Sequence, residues 1–179
     1  MKILLLETSL EEALLAVIEN NKLVFEERLL GGPELSKKLG LEIQKIITQL
    51  PPPYGHIVVG IGPGSFTGMR VGASMASALA FGWKIPLFTV SSLAGFGPGT
   101  VLVDARMGGI YVQTNGEEPR LLSLEEASTV LPDHPALISP HPDKILARIP
   151  GLSIEKRKLD PLFLLEYASL ASQPIKANY

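Results

Sequence analysis

The sequence predicts an α/β fold in which helices pack on a mixed β-sheet, and three observations favour this class. Short apolar runs of strand length alternate with longer segments whose apolar residues recur at helical spacing. The second half restarts with a strand and a hairpin, as the first half does. Apolar residues make up 46% of the 179 residues, which is enough to build a core, whereas the 17 glycines and 15 prolines are too scattered for a disordered chain.

The first half is predicted to begin with three strands and to continue with alternating helices and strands. Lys2–Thr8 is a short apolar run with polar ends, which is typical of a central strand. Asn20-Asn21 separates the apolar runs Ala13–Glu19 and Lys22–Leu29, and because asparagine tolerates positive φ, these runs are predicted to form a hairpin. The later elements of this half are the helix Glu34–Gln49, the strand His56–Ile61, a glycine loop at Gly62–Gly68, a helix to about Phe81 and the strand Ile85–Val90.

The second half has a weaker pattern, because five prolines between residues 132 and 150 limit its elements to a few turns. A helix is predicted to start at Ser123, since Glu126 stands at the capping-box position, and a last helix to run from Asp160-Pro161 to about Ala171. The predicted strands are Thr100–Asp104, Gly109–Thr114 and Arg120–Leu122. We therefore predict a complete first lobe, residues 1–96 with a helix at 160–172, and a reduced second lobe, residues 97–159.

Acidic residues are unevenly distributed along the chain. All 18 of them lie before Pro51 or after Val103, and between these two residues only Arg70 and Lys84 are charged at neutral pH. The uncharged residues 85–103 include glycines and prolines that would leave backbone groups unsatisfied in lipid. This stretch is therefore predicted to be buried protein and not a membrane span.

The composition excludes several function classes. Without any cysteine the chain has no disulfide, zinc–thiolate site, iron–sulfur cluster or thiol nucleophile. The net charge is −2 and the largest basic cluster is Lys156-Arg157-Lys158, which is too small for autonomous nucleic-acid binding. Glu7 comes too early for a signal peptide, so we expect a cytoplasmic protein that meets RNA only through a partner.

The glycine loop is the first candidate site. It follows a predicted strand and opens a helix, so its N–H groups and the helix dipole could face an anion. Its spacing fits neither a Walker loop, nor a dinucleotide fingerprint, nor a nucleophile elbow, and a plain structural turn is the alternative. The candidate anion or nucleotide residues are Glu7, Thr8, Gly62, Gly64, Ser65 and Thr67.

A stripe of small residues on the following helix is the second candidate. Glycines and alanines recur every four residues from Gly68 to Ala80, a spacing that allows close approach of another helix. That neighbour could be the preceding helix of this chain or a partner protein, and the sequence leaves both open. The candidate interface residues are Leu35, Leu39, Ile43, Gly68, Met69, Gly72, Ala73, Ala76 and Ala80.

Other chemistry is sparse, and we predict neither a catalytic residue nor a metal site. His134 and His141 lie in proline-rich loops without a second ligand at helical spacing, and His56 enters a strand. Asp104 and Arg106 are predicted to form an ion pair that holds the turn after their strand.

Several of these segments resemble the bacterial TsaB (YeaZ) family. The resemblance rests on residues 3–9 with the hairpin, residues 62–72, residues 86–93 and residues 103–107 with Tyr111, and it covers about residues 1–115 well. It implies an actin-like, RNase H-like (ASKHA) fold of two related lobes. It also implies a role in making N6-threonylcarbamoyladenosine (t6A) next to the anticodon of tRNAs that read codons beginning with adenine.

The resemblance further implies a non-catalytic subunit that binds and activates the transferase TsaD through the two helices of the first lobe. It would form a homodimer when TsaD is absent, be joined by the ATPase TsaE, and meet tRNA only through the complex. The chain would have no cofactor of its own, with at most weak binding of ATP or ADP and Mg at the complex interface. Pro33-Glu34-Leu35-Ser36 departs from the family, many of whose members have a histidine there.

Two enzyme classes are the alternatives to this hypothesis. One is a small nucleotide-dependent phosphotransferase that would use Glu7, Thr8 and the glycine loop. The other is a glycoprotease-like hydrolase, for which the sequence supplies no nucleophile and base.

Overall fold

The structure, a computed structural model, describes residues 1–106 and 108–171, the last three by their backbone alone. Met107 and residue 172, the predicted end of the last helix, lie outside the described residues. The chain divides into two compact units, which are Met1–Ser92 together with residues 164–171, and Leu93–Phe163. A helix at Pro161–Ala171 begins in the second unit and continues into the first.

The first unit is built on a mixed sheet of five strands. Its elements in chain order are β1 (Lys2–Glu7), β2 (Glu12–Glu19), β3 (Lys22–Leu30), α1 (Leu35–Gln49), β4 (His56–Gly60), α2 (Phe66–Trp83) and β5 (Leu87–Val90). The strand order is β3-β2-β1-β4-β5, with β1 antiparallel to β2 and parallel to β4. The predicted hairpin is confirmed, since Asn20 and Asn21 adopt φ of 51° and 61° between β2 and β3.

The core of this unit explains why β1 is apolar along its whole length. Leu4 and Leu6 pack in a cluster with residues of α1 and α2, while Leu5, on the other face of the sheet, is also fully buried. A strand covered on both faces needs a continuous apolar run and not an alternating one. β1 is therefore the central strand, and its last residues are placed in the interior.

The second unit repeats the same arrangement with shorter elements. Its elements are β6 (Thr100–Asp104), β7 (Gly109–Thr114), β8 (Arg120–Ser123), α3 (Leu124–Val130), β9 (Leu137–Ser139), α4 (Pro142–Leu146) and β10 (Ile154–Lys156), and the helix at Pro161–Ala171 is α5. The sheet order is β10-β9-β6-β7-β8, which read backwards has the connections of the first sheet. Its core contains Leu102, Ile110 and Ile145.

The predicted α/β fold class is confirmed, and its form is the actin-like one of two related lobes with a reduced second lobe. β9, α4 and β10 were not predicted individually, because elements of three to five residues carry too few positions to show a period. In the part of the chain that the structure describes, we find no helix with the length and apolar character needed to cross a bilayer.

Candidate functional site

The small-residue stripe of α2 faces the sheet of its own unit. Gly68 and Gly72 are buried, and a Cβ atom on them would lie 2.0 Å from the backbone oxygen of Thr8 and 2.1 Å from Thr8 Oγ1, respectively. Thr8 Oγ1 also donates a hydrogen bond of 2.7 Å to the carbonyl oxygen of Gly68. The glycines therefore let α2 approach the end of β1 more closely than any residue with a side chain would allow.

The sequence left open whether the stripe faces an element of this chain or a partner protein, and in the structure it packs inside its own unit. A four-residue glycine and alanine repeat indicates close packing but does not say against what, and here the neighbour is a strand. Met69 and Ala73 are half-buried beside the stripe. The candidate interface residues that lie in the interior are Leu35, Leu39, Ile43, Gly68, Gly72, Ala76 and Ala80.

The opposite side of α2 is exposed, and we call it the outward face of α2. Phe66 and Phe81 are 69% and 62% exposed, and the guanidinium carbon of Arg70 lies 5.6 Å from the centre of the Phe66 ring. α2 contains no acidic residue. The outward face consists of Phe66, Arg70, Ser74, Ser77 and Phe81. Sequence analysis missed it, although both phenylalanines lie on the side away from the glycines when the helix is drawn as a wheel.

The glycine loop is fastened to the segment that follows β1. Ser65 is the N-cap of α2, and its Oγ accepts a hydrogen bond of 3.2 Å from the Gly68 amide. The Ser65 amide donates to the carbonyl oxygen of Ser9 at 2.6 Å, and a Cβ on Gly64 would lie 2.3 Å from that same oxygen. The loop therefore needs glycine for close contact inside the unit.

Glu7, at the end of β1, is the centre of a buried polar cluster. It has no exposed surface, and its Oε1 accepts hydrogen bonds from the amide and hydroxyl of Ser9 at 2.5 and 2.7 Å and from the Leu10 amide at 3.2 Å. Oε2 contacts the hydroxyl of Ser92, which also accepts a 2.9 Å hydrogen bond from the Gly62 amide. Burial raises the pKa of Glu7, and the hydrogen bonds from Ser92, Ser9 and Leu10 oppose that rise.

Space for this carboxyl group is provided by Gly60 on β4. A Cβ atom there would lie 1.7 Å from Glu7 Oε2. Ser9, Gly60 and Ser92 were not identified from the sequence. Two of the three are distant from Glu7 along the chain, and the sequence contains no signal that links them to it.

Glu7 and Thr8, two of the candidate anion or nucleotide residues, lie inside the first unit. Their side-chain oxygens are buried and bonded within the first unit. Gly62 is buried and Gly64 half-buried, whereas Ser65 and Thr67 are exposed. A ligand at this loop would therefore meet backbone and these two hydroxyl groups, without the carboxylate.

The corresponding position of the second unit holds a different kind of pair. Asp104, the last residue of β6, accepts hydrogen bonds from the Arg148 guanidinium and, at 3.1 Å, from the Arg106 amide. The arginine that pairs with Asp104 is thus Arg148, which follows α4, and Arg106 contributes its backbone. Arg148 also donates to the Gly109 carbonyl oxygen at 3.1 Å, so it joins both ends of the turn.

Over residues 1–106 and 108–171, no group of three His, Asp or Glu side chains is placed to hold a metal ion.

Comparison with known proteins gives matches over most of these elements. A family model described as "TsaD: tRNA N6-adenosine threonylcarbamoyltransferase" matches residues 36–136, which is more than half of the chain. The protein named tRNA threonylcarbamoyladenosine biosynthesis protein TsaB of Escherichia coli K12 is 35% identical over 86 residues, covering 42% of this chain and 37% of that protein. The protein of the same name from Bacillus subtilis is 38% identical over 69 residues, covering 34% and 30%. The matches thus span less than half the length of these relatives.

Two solved structures share the fold over almost the whole chain. YeaZ from Pseudomonas aeruginosa superposes with a TM-score of 0.74 at 23% identity and covers 96% of this chain and 92% of its own. A second structure, described as an uncharacterized protein with similarity to peptidase YEAZ from the same species, has a TM-score of 0.75 at 20% identity and coverages of 98% and 95%.

Proposed function

Because the chain belongs to the family of the matching TsaD model, and within it to the TsaB (YeaZ) proteins, we propose that it is a partner subunit for the synthesis of t6A in tRNA, in the cytoplasm. In this proposal the modified adenosine is the one next to the anticodon in tRNAs that read codons beginning with adenine. The chain binds and activates a TsaD-like transferase and does not itself catalyse the transfer.

The assignment of catalysis to the partner is supported by how this chain uses its own polar groups. Glu7 and Thr8 are the side chains that the alternative phosphotransferase hypothesis would use, and both are buried and hydrogen-bonded to neighbours. The glycine loop is bonded to Ser9 in the same way. The side chains of Glu7 and Thr8 and the backbone of the loop thus make their hydrogen bonds within the first unit.

The observation that carries the partner proposal is the outward face of α2. Two phenylalanine rings with more than half of their surface exposed lie on a helix that contains no acid and whose single charged residue is Arg70. Aromatic residues and arginine are enriched in protein interfaces and supply most of their binding energy, whereas acids are depleted there. We place the contact with the transferase on this face, and assign the same face to a homodimer that forms when the transferase is absent.

The further partners in this proposal are those that the resemblance to the TsaB (YeaZ) family implies. A TsaE-like ATPase joins the complex, and tRNA is held by the transferase, since the largest basic cluster of this chain is three residues long. Binding of ATP or ADP with Mg stays a prediction, limited to weak association at the complex interface. Calorimetric titration of the chain alone and of the complex checks it, and tight binding with turnover by the chain alone would favour a phosphotransferase.

The test of the proposal compares three charge-introducing variants. Phe66→Glu and Phe81→Glu should each weaken binding to the TsaD protein of the same cell about tenfold or more, which corresponds to about 1.4 kcal/mol. Leu121→Glu is the matched control, because Leu121 is 58% exposed but lies on β8 of the second unit. All three variants should unfold at the temperature of the unchanged protein.

The cellular readout is the amount of t6A in tRNA from a strain that depends on each variant. We expect a fall with the two α2 variants and none with Leu121→Glu. Undiminished association and normal t6A with both phenylalanine variants would reject the interface, and t6A that does not depend on this chain at all would reject the function.

A further inference from the structure

Glu7, Ser9 and Ser92 form a closed ring of oxygen–oxygen contacts in the first unit. Ser9 Oγ lies 2.7 Å from Glu7 Oε1 and 2.9 Å from Ser92 Oγ, and Ser92 Oγ in turn contacts Glu7 Oε2. None of the three residues is more than 2% exposed. The ring is therefore closed off from bulk water, and its contacts must be satisfied by the hydrogens of its own members.

The number of hydrogens in the ring depends on whether Glu7 is ionised or neutral. Three contacts require three hydrogens, each hydroxyl group has one, and an ionised carboxylate has none. With Glu7 ionised, one contact would hold two oxygens together with no hydrogen between them. With Glu7 neutral, Oε2–H donates to Ser92, Ser92 donates to Ser9, and Ser9 donates to Glu7 Oε1, so every contact is a hydrogen bond.

The backbone donors around the ring fit this arrangement. The Gly62 amide donates to Ser92 Oγ, and the amides of Ser9 and Leu10 donate to Glu7 Oε1, which is the carbonyl oxygen of the neutral acid. Gly60 leaves the space in which Oε2 lies. No buried side-chain oxygen or nitrogen is left without a partner among the described residues.

Among the residues that the structure describes, no cation is paired with Glu7. Its pKa is shifted by burial and by hydrogen bonds alone, without a contribution from another charge. On the neighbouring elements, His56 lies at the opposite end of β4, Arg70 on α2 is exposed, and Glu12 on β2 pairs with Arg28. A buried ion without a partner is costly, and such a group becomes neutral instead.

We infer that Glu7 is a proton-holding residue, and that the Glu7–Ser9–Ser92 ring is a proton-dependent lock that joins the end of β1 to the loop leading into α2. Loss of the proton from Glu7 removes one of the three hydrogen bonds of the ring. It therefore weakens the hold on Ser92 Oγ, the atom to which the Gly62 amide donates. The lock does not depend on which partner the protein has.

The decisive variant is Glu7→Gln, because a glutamine reproduces the neutral acid. Its amide NH₂ can donate to Ser92 and its oxygen can accept from Ser9. A raised folded-state pKa contributes stability that is complete below the ordinary value of 4.5 and is lost as the pH rises through the folded value. We therefore expect Glu7→Gln to be at least as stable as the unchanged protein at neutral pH, with an advantage that grows as the pH rises. Glu118→Gln, the same substitution at an exposed loop position, is the matched control.

Two measurements on the unchanged protein accompany the variant. The carbon resonance of the Glu7 carboxyl group, identified by its loss in Glu7→Gln, should titrate above the ordinary value of 4.5. Hydrogen exchange at the Gly62 amide, corrected for the intrinsic rate, should accelerate above that midpoint and stay constant in Glu7→Gln. A carboxylate resonance with a midpoint at or below the ordinary value, together with a Glu7→Gln protein that is less stable at neutral pH, would overturn the inference.

Discussion

The first strand of each unit ends in an acidic residue, and the two carboxyl groups have different kinds of hydrogen-bond partner. Glu7 ends β1 with no exposed surface and is surrounded by hydroxyl and amide groups, whereas Asp104 ends β6 with 22% of its side chain exposed and pairs with Arg148. The sheets have the same strand order, so the topology does not decide this. The difference follows from burial, because a partly exposed carboxylate can keep its charge beside an arginine, while a fully buried carboxyl group without a cation is best kept neutral.

The helices of the first unit are also longer than those of the second. α1 and α2 have 15 and 18 residues, whereas their counterparts α3 and α4 have seven and five. A long helix can bury one side on the sheet and still present a second side to another protein. The first unit is thus both the more deeply packed and the one that offers an outward face.

The largest effect is expected where α2 meets β1. In Gly68→Ala the new Cβ would lie 2.0 Å from a backbone oxygen of Thr8, which cannot move aside as a flexible side chain could. We expect a loss of about 3 kcal/mol in the free energy of unfolding, at the upper end of overpacking costs, measured by urea denaturation.

The matched control is Gly82→Ala in the same helix. A Cβ at Gly82 meets nothing within 4 Å, so the substitution should raise stability by up to about 1 kcal/mol through helix propensity. Equal effects of the two substitutions would show that α2 does not rest on β1 as closely as described.

The second effect concerns the ion pair of the second unit. In Arg148→Gln, Asp104 keeps only the Arg106 amide, and the Gly109 carbonyl loses a donor. We expect a loss of about 2 kcal/mol, as for hydrogen bonds to charged groups. Arg120→Gln, at an exposed position of β8, should change stability by less than about 0.5 kcal/mol. If both arginine variants behave alike, Asp104 is satisfied without Arg148 and the contrast with Glu7 disappears.

The third comparison uses the serine caps of α2 and α3. Ser65 and Ser123 each accept a 3.2 Å hydrogen bond from the amide three residues further along the chain. Either serine changed to alanine should therefore lower the free energy of unfolding by about 1 kcal/mol.

Of these two helices, only α3 has a reciprocal hydrogen bond, from the Ser123 amide to Glu126, and this bond lowers the pKa of Glu126. Its contribution is present above 4.5 and is lost as the pH falls through the lowered value. Hydrogen exchange should therefore show α3, but not α2, loosening in acid, and uniform behaviour of both helices would contradict this.

The fold was largely predictable from the sequence, whereas the site was not. The apolar run of β1, the Asn20-Asn21 turn and the Ser123 cap are local signals, and the structure confirms each of them. Which element the stripe from Gly68 to Ala80 packs against depends on residues that are distant along the chain, so the local sequence could not predict it. The partners of Glu7 include Ser92, which is 85 residues away, and no local pattern marks such a pair.

The smallest effect is expected from His56, and its sign is opposite to that of Glu7. The centres of the His56 and Phe88 rings lie 5.1 Å apart in an edge-to-face arrangement. Burial lowers the pKa of His56, so the folded state prefers the neutral imidazole. The stability that this gives is present above the ordinary value of 6.5 and is lost as the pH falls through the lowered one. Because the ring is half-buried and screened by solvent, we expect a loss of about 0.5 kcal/mol, and His56→Gln should abolish it. An unchanged slope in His56→Gln would show that His56 does not contribute, and Glu7 would then be the one of these two residues that makes the stability of the first unit depend on pH.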